Sequence, residues 1–213
     1  MGDDAATLLA AYDAQLRGAA EVAGSPSWDR EGPLWRAVSP TDGFVSYESL
    51  EGVDDVDALI ADTVAFFEGI PEVATFEWKT RGHDRPPDLG ARLEAHGLEP
   101  EEIETVMVGE AAALAVEVDL PPGVTVRRVD LLPERDRVVT EAATMQRSVF
   151  GAGPSDEEVL DRLDRMAGLE QFWVAEADGC VVSAGRLQLV AGTEFAGLWG
   201  GATLAQWRGR GVY

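Results

Sequence analysis

The chain has 213 residues, of which 46% are hydrophobic and 26% are charged, a composition typical of globular proteins. Its 17 basic and 39 acidic residues give a net charge of −22, which would repel nucleic acids and anionic membrane surfaces. The single Cys180 excludes an intramolecular disulfide and a cysteine-based zinc site, and two histidines leave little for metal binding. The N-terminus has no signal-peptide pattern. We therefore predict a cytoplasmic protein that binds no metal, nucleic acid or membrane.

The charge is unevenly distributed along the chain. Residues 1–118 contain 25 acids and 7 bases, whereas residues 119–213 contain 14 acids and 10 bases. The basic residues that could meet an anionic ligand are therefore concentrated in the second part. A linker-like stretch over 111–123 ends in Pro-Pro-Gly. We accordingly predict two domains, 1–118 and 119–213.

The first part shows helix and strand patterns in alternation. Apolar residues recur at helical spacing in some segments and alternate in others, and Gly, Pro and Asp residues separate these segments. The predicted elements are a helix over 5–20, strands over 34–38 and 44–50, a helix over 54–67, a strand over 75–81, a helix over 88–96 and a strand over 104–108.

The second part begins a new pattern at residue 124. Ser155 is a candidate N-cap that is followed by three acidic residues, and Asp178-Gly179 is a strong hairpin signal. The predicted elements are a strand over 124–129, a helix over 133–150, a helix from 155, strands over 172–177 and 181–190, and a strand over 194–204. The whole chain is thus predicted to be an α/β protein with mixed sheets.

A short Arg/Gly loop, Arg208-Gly209-Arg210-Gly211, follows the last predicted strand. Backbone N–H groups at a helix start form an anion site, and glycines let a diphosphate approach the main chain. The two guanidinium groups would add fixed charge and paired donors for phosphate oxygens. Taken alone, such a tract is better interpreted as a solvated surface turn.

The order of elements gives this loop a context. Two helices, a hairpin and an apolar strand leading into Gln206-Trp207-Arg208-Gly209-Arg210-Gly211-Val212-Tyr213 resemble the GNAT superfamily of N-acetyltransferases. The family motif is Arg/Gln-x-x-Gly-x-Gly/Ala, between the fourth strand and the third helix. It fits from Gln206 or from Arg208, and we adopt the second register, which puts Tyr213 where Gly or Ala is usual.

The resemblance implies a cofactor site and a reaction. The co-substrate would be acetyl-CoA, without a metal, and its acetyl group would pass to an unidentified small-molecule or peptide amine. No catalytic residue can be assigned, because a solvated carboxylate at a strand end is the better interpretation of Glu194. By the family match, the pyrophosphate would be held by Arg208, Gly209, Arg210, Gly211 and Val212, and the acyl-CoA slot would be lined by Ala202, Thr203 and Leu204.

The family pattern continues beyond the loop, so we expect a chain truncated after Tyr213, with a partial GNAT domain over 119–213. The alternative is a non-catalytic remnant, or an interaction module that forms a homodimer through its open sheet edge. For the truncated chain itself, the resemblance leaves activity open.

Residues 34–108 resemble the later part of the same fold. The segment 88–98 is similar to the family's fourth helix and its Tyr-x-x-x-Gly-Phe ending, with Leu93 and Leu98 in the aromatic positions. The segment 50–57, where a phosphate loop should lie, is acidic and would repel a diphosphate. We therefore predict a degenerate GNAT-like unit, and an unrelated α/β domain is the alternative. The adjacent His83-Asp84 pair is interpreted as a turn rather than a catalytic pair.

Overall fold

A computed structural model describes the backbone of residues 2–212 and the side chains of residues 5–212. The chain forms two compact units, Met1–Gly109 and Glu110–Tyr213, so the division falls at Gly109 rather than after residue 118. No helix in the described part is long and apolar enough to cross a membrane. Mixed α/β structure, as predicted, is present in the chain.

The first unit contains one four-stranded sheet in the order β1-β2-β3-β4. The pairs β1–β2 and β2–β3 are antiparallel, and β3–β4 is parallel. Its elements are α1 (Gly2–Gln15), α2 (Ala19–Val22), β1 (Ser27–Glu31), β2 (Leu34–Val38), β3 (Asp42–Tyr47), α3 (Val56–Glu68), β4 (Thr75–Trp78) and α4 (Leu89–Ala95).

Helices cover both faces of this sheet. Val45 and Tyr47 of β3 pack with α3 and α4 in one apolar core. Between them, Ser46 Oγ accepts a hydrogen bond from Gly18 N at 3.0 Å, next to α2. Since successive strand residues point to opposite faces, α2 lies on the face opposite α3.

Three predictions for the first unit are wrong in detail. The helix over 5–20 is two helices, because Gly18 has φ 63° and breaks the chain between them. Strand β1 was missed because all five of its residues are exposed and give no alternation. No strand forms over 104–108, where Met107 is 92% exposed.

Gly43 of β3 lies where the sheet meets two stacked rings. A Cβ atom there would lie 2.3 Å from Phe67 Cε1 and 2.8 Å from Phe76 Cβ, and these two rings stack at 4.5 Å. We expect Gly43→Ala to lower the free energy of unfolding by about 1–3 kcal/mol, since the rings must leave a filled core. Urea unfolding followed by circular dichroism measures this change.

Gly90 gives a matched control within the same unit. It lies inside α4, and a Cβ atom there would meet nothing within 4 Å. Gly90→Ala should raise the free energy of unfolding by about 0.5–1 kcal/mol through helix propensity. Equal effects of the two substitutions would contradict the described packing at Gly43.

The second unit contains a fully antiparallel four-stranded sheet in the order β5-β6-β7-β8. Its elements are α5 (Ala111–Leu114), β5 (Val124–Arg128), α6 (Arg135–Phe150), α7 (Asp156–Arg165), β6 (Glu170–Ala177), β7 (Cys180–Leu189) and β8 (Ala196–Thr203), followed by a 3-10 turn at Ala205–Trp207.

Local signals in the second unit act as predicted. Ser155 and Glu158 form a reciprocal capping box at the start of α7. Asp178 and Gly179 both have positive φ, 51° and 78°, which closes the β6–β7 hairpin. The stretch predicted as a linker includes one helical turn, α5.

The sheet of the second unit is packed differently on its two faces. One face lies against α6 and α7, with Val138, Ala142 and Phe172 in a large buried cluster. The other face holds a smaller cluster in which Val182 contacts Val212. The residues that follow β8 therefore fold back onto the second face of the sheet, where they are held in place.

Candidate functional site

Strand β8 ends the second sheet, and no described strand pairs with its outer side. Its ladder with β7 is interrupted, because Ala202 pairs with Ala184 whereas Trp199 pairs with Arg186. Two residues, Gly200 and Gly201, lie between Trp199 and Ala202; Gly200 has φ 62°, and its carbonyl accepts a 2.5 Å hydrogen bond from Gln146 Nε2 of α6. β8 therefore carries a bulge that α6 holds in place.

The end of β8 presents one backbone N–H to its free edge. Leu204 N donates to Val182 O at 3.0 Å, toward β7. Because successive N–H groups of a strand point to opposite edges, the N–H of Thr203 points away from β7. Ser183 Oγ donates to Ala202 O at 2.9 Å and lies 2.8 Å from Thr203 Oγ1, so the Thr203 side chain is also fixed.

The loop after β8 is anchored on both sides. Arg208 Nε donates to Thr203 O at 2.9 Å, and the Arg210 guanidinium lies 5.1 Å from the centre of the Trp207 ring. Val212 is 8% exposed and packs in the smaller core cluster. Between these anchors, the residues from 208 to 211 are exposed.

The two loop glycines leave the main chain open. Gly209 and Gly211 have φ 69° and 71°, a backbone region that other residues rarely adopt. A Cβ atom on Gly209 would meet nothing within 4 Å, and one on Gly211 would lie 3.4 Å from Val118 Cγ1. A charged group can therefore approach the backbone at Gly209 without meeting a side chain, whereas the Val118 side chain lies beside Gly211.

The two arginines of the loop differ from most arginines of this chain because they have no carboxylate partner in the described residues. At least eleven arginines form ion pairs with carboxylates. Arg208 and Arg210 are exposed, and within the described part of the chain neither has a carboxylate within 4.0 Å. In a protein with 39 acids, this loop keeps two guanidinium charges that no acid of the described chain neutralises.

No family model and no curated protein matches the sequence. Solved structures do match the fold. A GCN5-related N-acetyltransferase from Kribbella flavida superposes with a TM-score of 0.56 at 16% identity, over 91% of this chain and 73% of that chain. The fold is that of the GCN5-related N-acetyltransferases. A GCN5-related N-acetyltransferase-like protein from Streptococcus suis matches with a TM-score of 0.38 at 17% identity, over 84% of this chain and 63% of that chain.

The GNAT-like fold includes both units, since the match to the first of these structures covers 91% of the chain. The predicted GNAT fold is thereby confirmed. In the first unit, Asp55 lies in the acidic segment between β3 and α3 and caps α3 by accepting from Ala58 N at 2.9 Å. Four acids and only Arg85 and Arg92 line a cavity of about 420 Å³ at this place, and Arg92 is paired with Asp57 and Asp88. The acidic lining disfavours an anion here.

The predicted site residues of the GNAT-like second unit lie together at the end of β8. Ala202 and Val212 have buried side chains, so only their main chains are available to a ligand. Tyr213 lies outside the described residues. Glu194 precedes β8, and this eight-residue strand separates it from the loop by about 25 Å.

Two residues that shape this end of the GNAT-like sheet were not predicted. Gly200 forms the bulge and Gln146 holds it. The Gly-Gly pair inside a strand pattern was an available signal, since glycine in a strand interior often marks a bulge. The described residues contain no group of three or more His, Cys, Asp or Glu side chains placed to hold a metal ion.

Proposed function

We propose that this chain is an N-acetyltransferase of the GNAT superfamily, which binds acetyl-CoA in its second unit. One observation carries the proposal. An exposed Arg-Gly-Arg-Gly loop, with both guanidinium groups free of carboxylates in the described chain, directly follows the free end of β8. That combination of open backbone and uncompensated charge suits a diphosphate.

The pyrophosphate would lie against the loop. Arg208 and Arg210 would donate to its oxygens, and the exposed main chain at Gly209 and Gly211 would approach it closely, as would the N–H of Val212. The hydrogen bond from Arg208 to Thr203 O uses Nε, which leaves the two terminal nitrogens of this guanidinium for phosphate.

The acetyl end would lie along the free edge of β8. Thr203, flanked by Ala202 and Leu204, would line the slot, and its outward N–H would donate to a carbonyl of the pantetheine arm next to the pyrophosphate. The amine nitrogen attacks the carbonyl carbon, so the N–C bond forms and the C–S bond breaks. The thiolate leaves as coenzyme A, and the amine gives up one proton to a base that we do not assign.

Binding is tested by thermal unfolding with and without 1 mM acetyl-CoA. A ligand at about a hundred times its Kd stabilises the folded state by about 2.7 kcal/mol, which raises Tm by about 5–10 °C in a chain of this size. Inorganic sulfate at 1 mM is the control for a simple anion effect and should shift Tm far less. No Tm change with acetyl-CoA would contradict the proposal. Release of free thiol in the presence of a mixture of amines would then test the transfer step.

A second candidate function rests on the exposed apolar surface of β8. Leu198 is 61% exposed and Trp199 is 49% exposed, on a strand whose outer side has no described partner. Such an edge favours association with another copy of the chain. Light scattering of the purified protein decides between monomer and dimer, and Leu198→Lys should dissociate a dimer that uses this edge.

A further inference from the structure

A long groove follows β4 in the first unit, remote in sequence from the Arg/Gly loop. Its volume is about 1400 Å³, and α1, β4, α4 and the segment over 99–108 line it. Its apolar lining includes Leu8, Trp78, Leu93 and Val106. Small-molecule pockets occupy about 300–1,000 Å³, so this groove suits a longer, extended ligand.

Strand β4 offers an open backbone edge to this groove. It ends the sheet of the first unit, and no described strand pairs with its outer side. Lys79 N donates to Val45 O at 3.1 Å, toward β3. Because strand N–H groups alternate in direction, the backbone groups of Phe76 and Trp78 point outward. An extended peptide could pair with them.

A buried donor in the groove has no partner. Trp78 is 7% exposed, and its indole Nε1 has no hydrogen-bond partner among the described residues. A buried N–H without an acceptor is unfavourable, and native proteins rarely leave one. Nε1 itself has almost no accessible surface and the ring packs in the core, so this donor is not a contact for a ligand in the groove.

The rim of the groove is acidic. The two basic side chains here, Lys79 and Arg81, are both paired with Glu21. Burial raises the pKa of Glu77, and nearby Glu101 and Glu104 raise it further against the effect of Lys79. The acids that line the groove include Glu77, Glu94, Glu99, Glu101, Glu102 and Glu104. A cation bound here would reduce the repulsion between these carboxylates.

Uncovered apolar side chains lie at this rim as well. Ile103 is 99% exposed and Val106 is 58% exposed. A second copy of this chain is disfavoured as the occupant, because the net charge of −22 would set acid against acid. Charge complementarity selects a basic partner instead.

We propose that the groove binds an extended segment of a basic partner protein, which adds as a strand to the outer edge of β4. Alternate apolar side chains of the segment lie on the groove floor, and its Lys or Arg side chains face the acidic rim. This surface is independent of acetyl-CoA binding by the second unit.

The test uses the full chain and two eight-residue peptides, one of alternating valine and lysine and one of alternating valine and glutamate. Calorimetry should show binding of the lysine peptide and at least about tenfold weaker binding of the glutamate peptide. Hydrogen exchange should slow at the Phe76 and Trp78 amides when the lysine peptide is added.

Charge reversal provides the matched variants. Glu101→Lys with Glu104→Lys should weaken binding of the lysine peptide at least about tenfold. Glu157→Lys with Asp161→Lys, two exposed acids on α7, should leave it unchanged. The proposal is overturned if neither peptide binds, if both bind equally, or if spermine slows the same amides as well as the peptide does. Slowing of these amides with rising protein concentration alone would assign the edge to a second copy instead.

Discussion

Replacing Arg208 and Arg210 together by alanine should weaken acetyl-CoA binding about a hundredfold, while the free energy of unfolding stays nearly unchanged. Each charge-assisted hydrogen bond to phosphate contributes about 1.5–3 kcal/mol, and exposure to solvent reduces the sum toward 2.7 kcal/mol, or about a hundredfold. Stability is spared because both side chains are exposed and neither has a carboxylate partner in the described chain. Calorimetric Kd values for the two proteins give the comparison.

Two other arginines serve as the control pair. Arg30 and Arg165 are exposed and likewise form no ion pair in the described chain, so Arg30→Ala with Arg165→Ala removes the same net charge. A general effect of charge would weaken binding equally in both double variants. We expect a Kd within about twofold of wild type for the control, since neither arginine belongs to the Arg/Gly loop. An equal loss of acetyl-CoA affinity in the two double variants would show that the loop does not hold the pyrophosphate.

Asp84→Ala should lower the free energy of unfolding of the first unit by about 3–5 kcal/mol, because it removes three partly buried hydrogen bonds and leaves the buried Arg17 with Asp13, at 3.4 Å, as its remaining ionic partner in the described chain. The Asp84 side chain is 7% exposed and pairs with Arg17, 4% exposed, at 2.7 Å. Its other oxygen accepts from Tyr47 Oη at 2.5 Å and from Arg81 N at 2.7 Å. Burial raises the pKa of the Tyr47 hydroxyl, and its hydrogen bond to Asp84 raises it further.

Urea unfolding followed by circular dichroism measures the loss, with hydrogen exchange at the β3 amides reporting on the first unit by itself. Asp62→Ala is the matched control, because Asp62 is exposed on α3 and should change stability by less than about 0.5 kcal/mol. A loss below 1 kcal/mol in Asp84→Ala would mean that the described ion pair is not formed in solution.

For Asp84, the sequence predicted a turn but not the burial of the side chain. The sequence indicated a turn at His83-Asp84, and Asp84 does accept from Arg81 N within that turn. Its burial and its pairing with Arg17, 67 residues away, could not be predicted, because no local pattern encodes a contact at that separation. His83 instead contacts Asp13 through its Nε2 at 2.8 Å.

Local signals predicted most of the second unit. Capping at Ser155 and the Asp178-Gly179 hairpin act within a few residues, so sequence alone carries them. Strand β1 could not be recognised, since its residues are all exposed and its pairing with β2 depends on the hairpin turn. The segment over 104–108 has strand residues but finds no partner in the described chain.

For the candidate site, the residue types could be predicted from the sequence. Their ionic partners and the direction of their backbone groups required the structure. The Arg/Gly pattern and its place after a strand were readable. Whether Arg208 and Arg210 are neutralised by acids depends on which side chains come near them in three dimensions. Likewise, the outward direction of the Thr203 N–H follows from the pairing of Leu204 with Val182, which only the sheet register determines.

The most direct measurement is an amide NMR titration of the full chain with acetyl-CoA. Binding at the loop should move the resonances of Gly209, Gly211 and Thr203 together, with one Kd, because the pyrophosphate and the pantetheine arm belong to one ligand. The Arg208→Ala/Arg210→Ala variant should lose these shifts at the same ligand concentration. Shifts confined to the first unit, or none at all, would contradict an acetyl-CoA site at the end of β8.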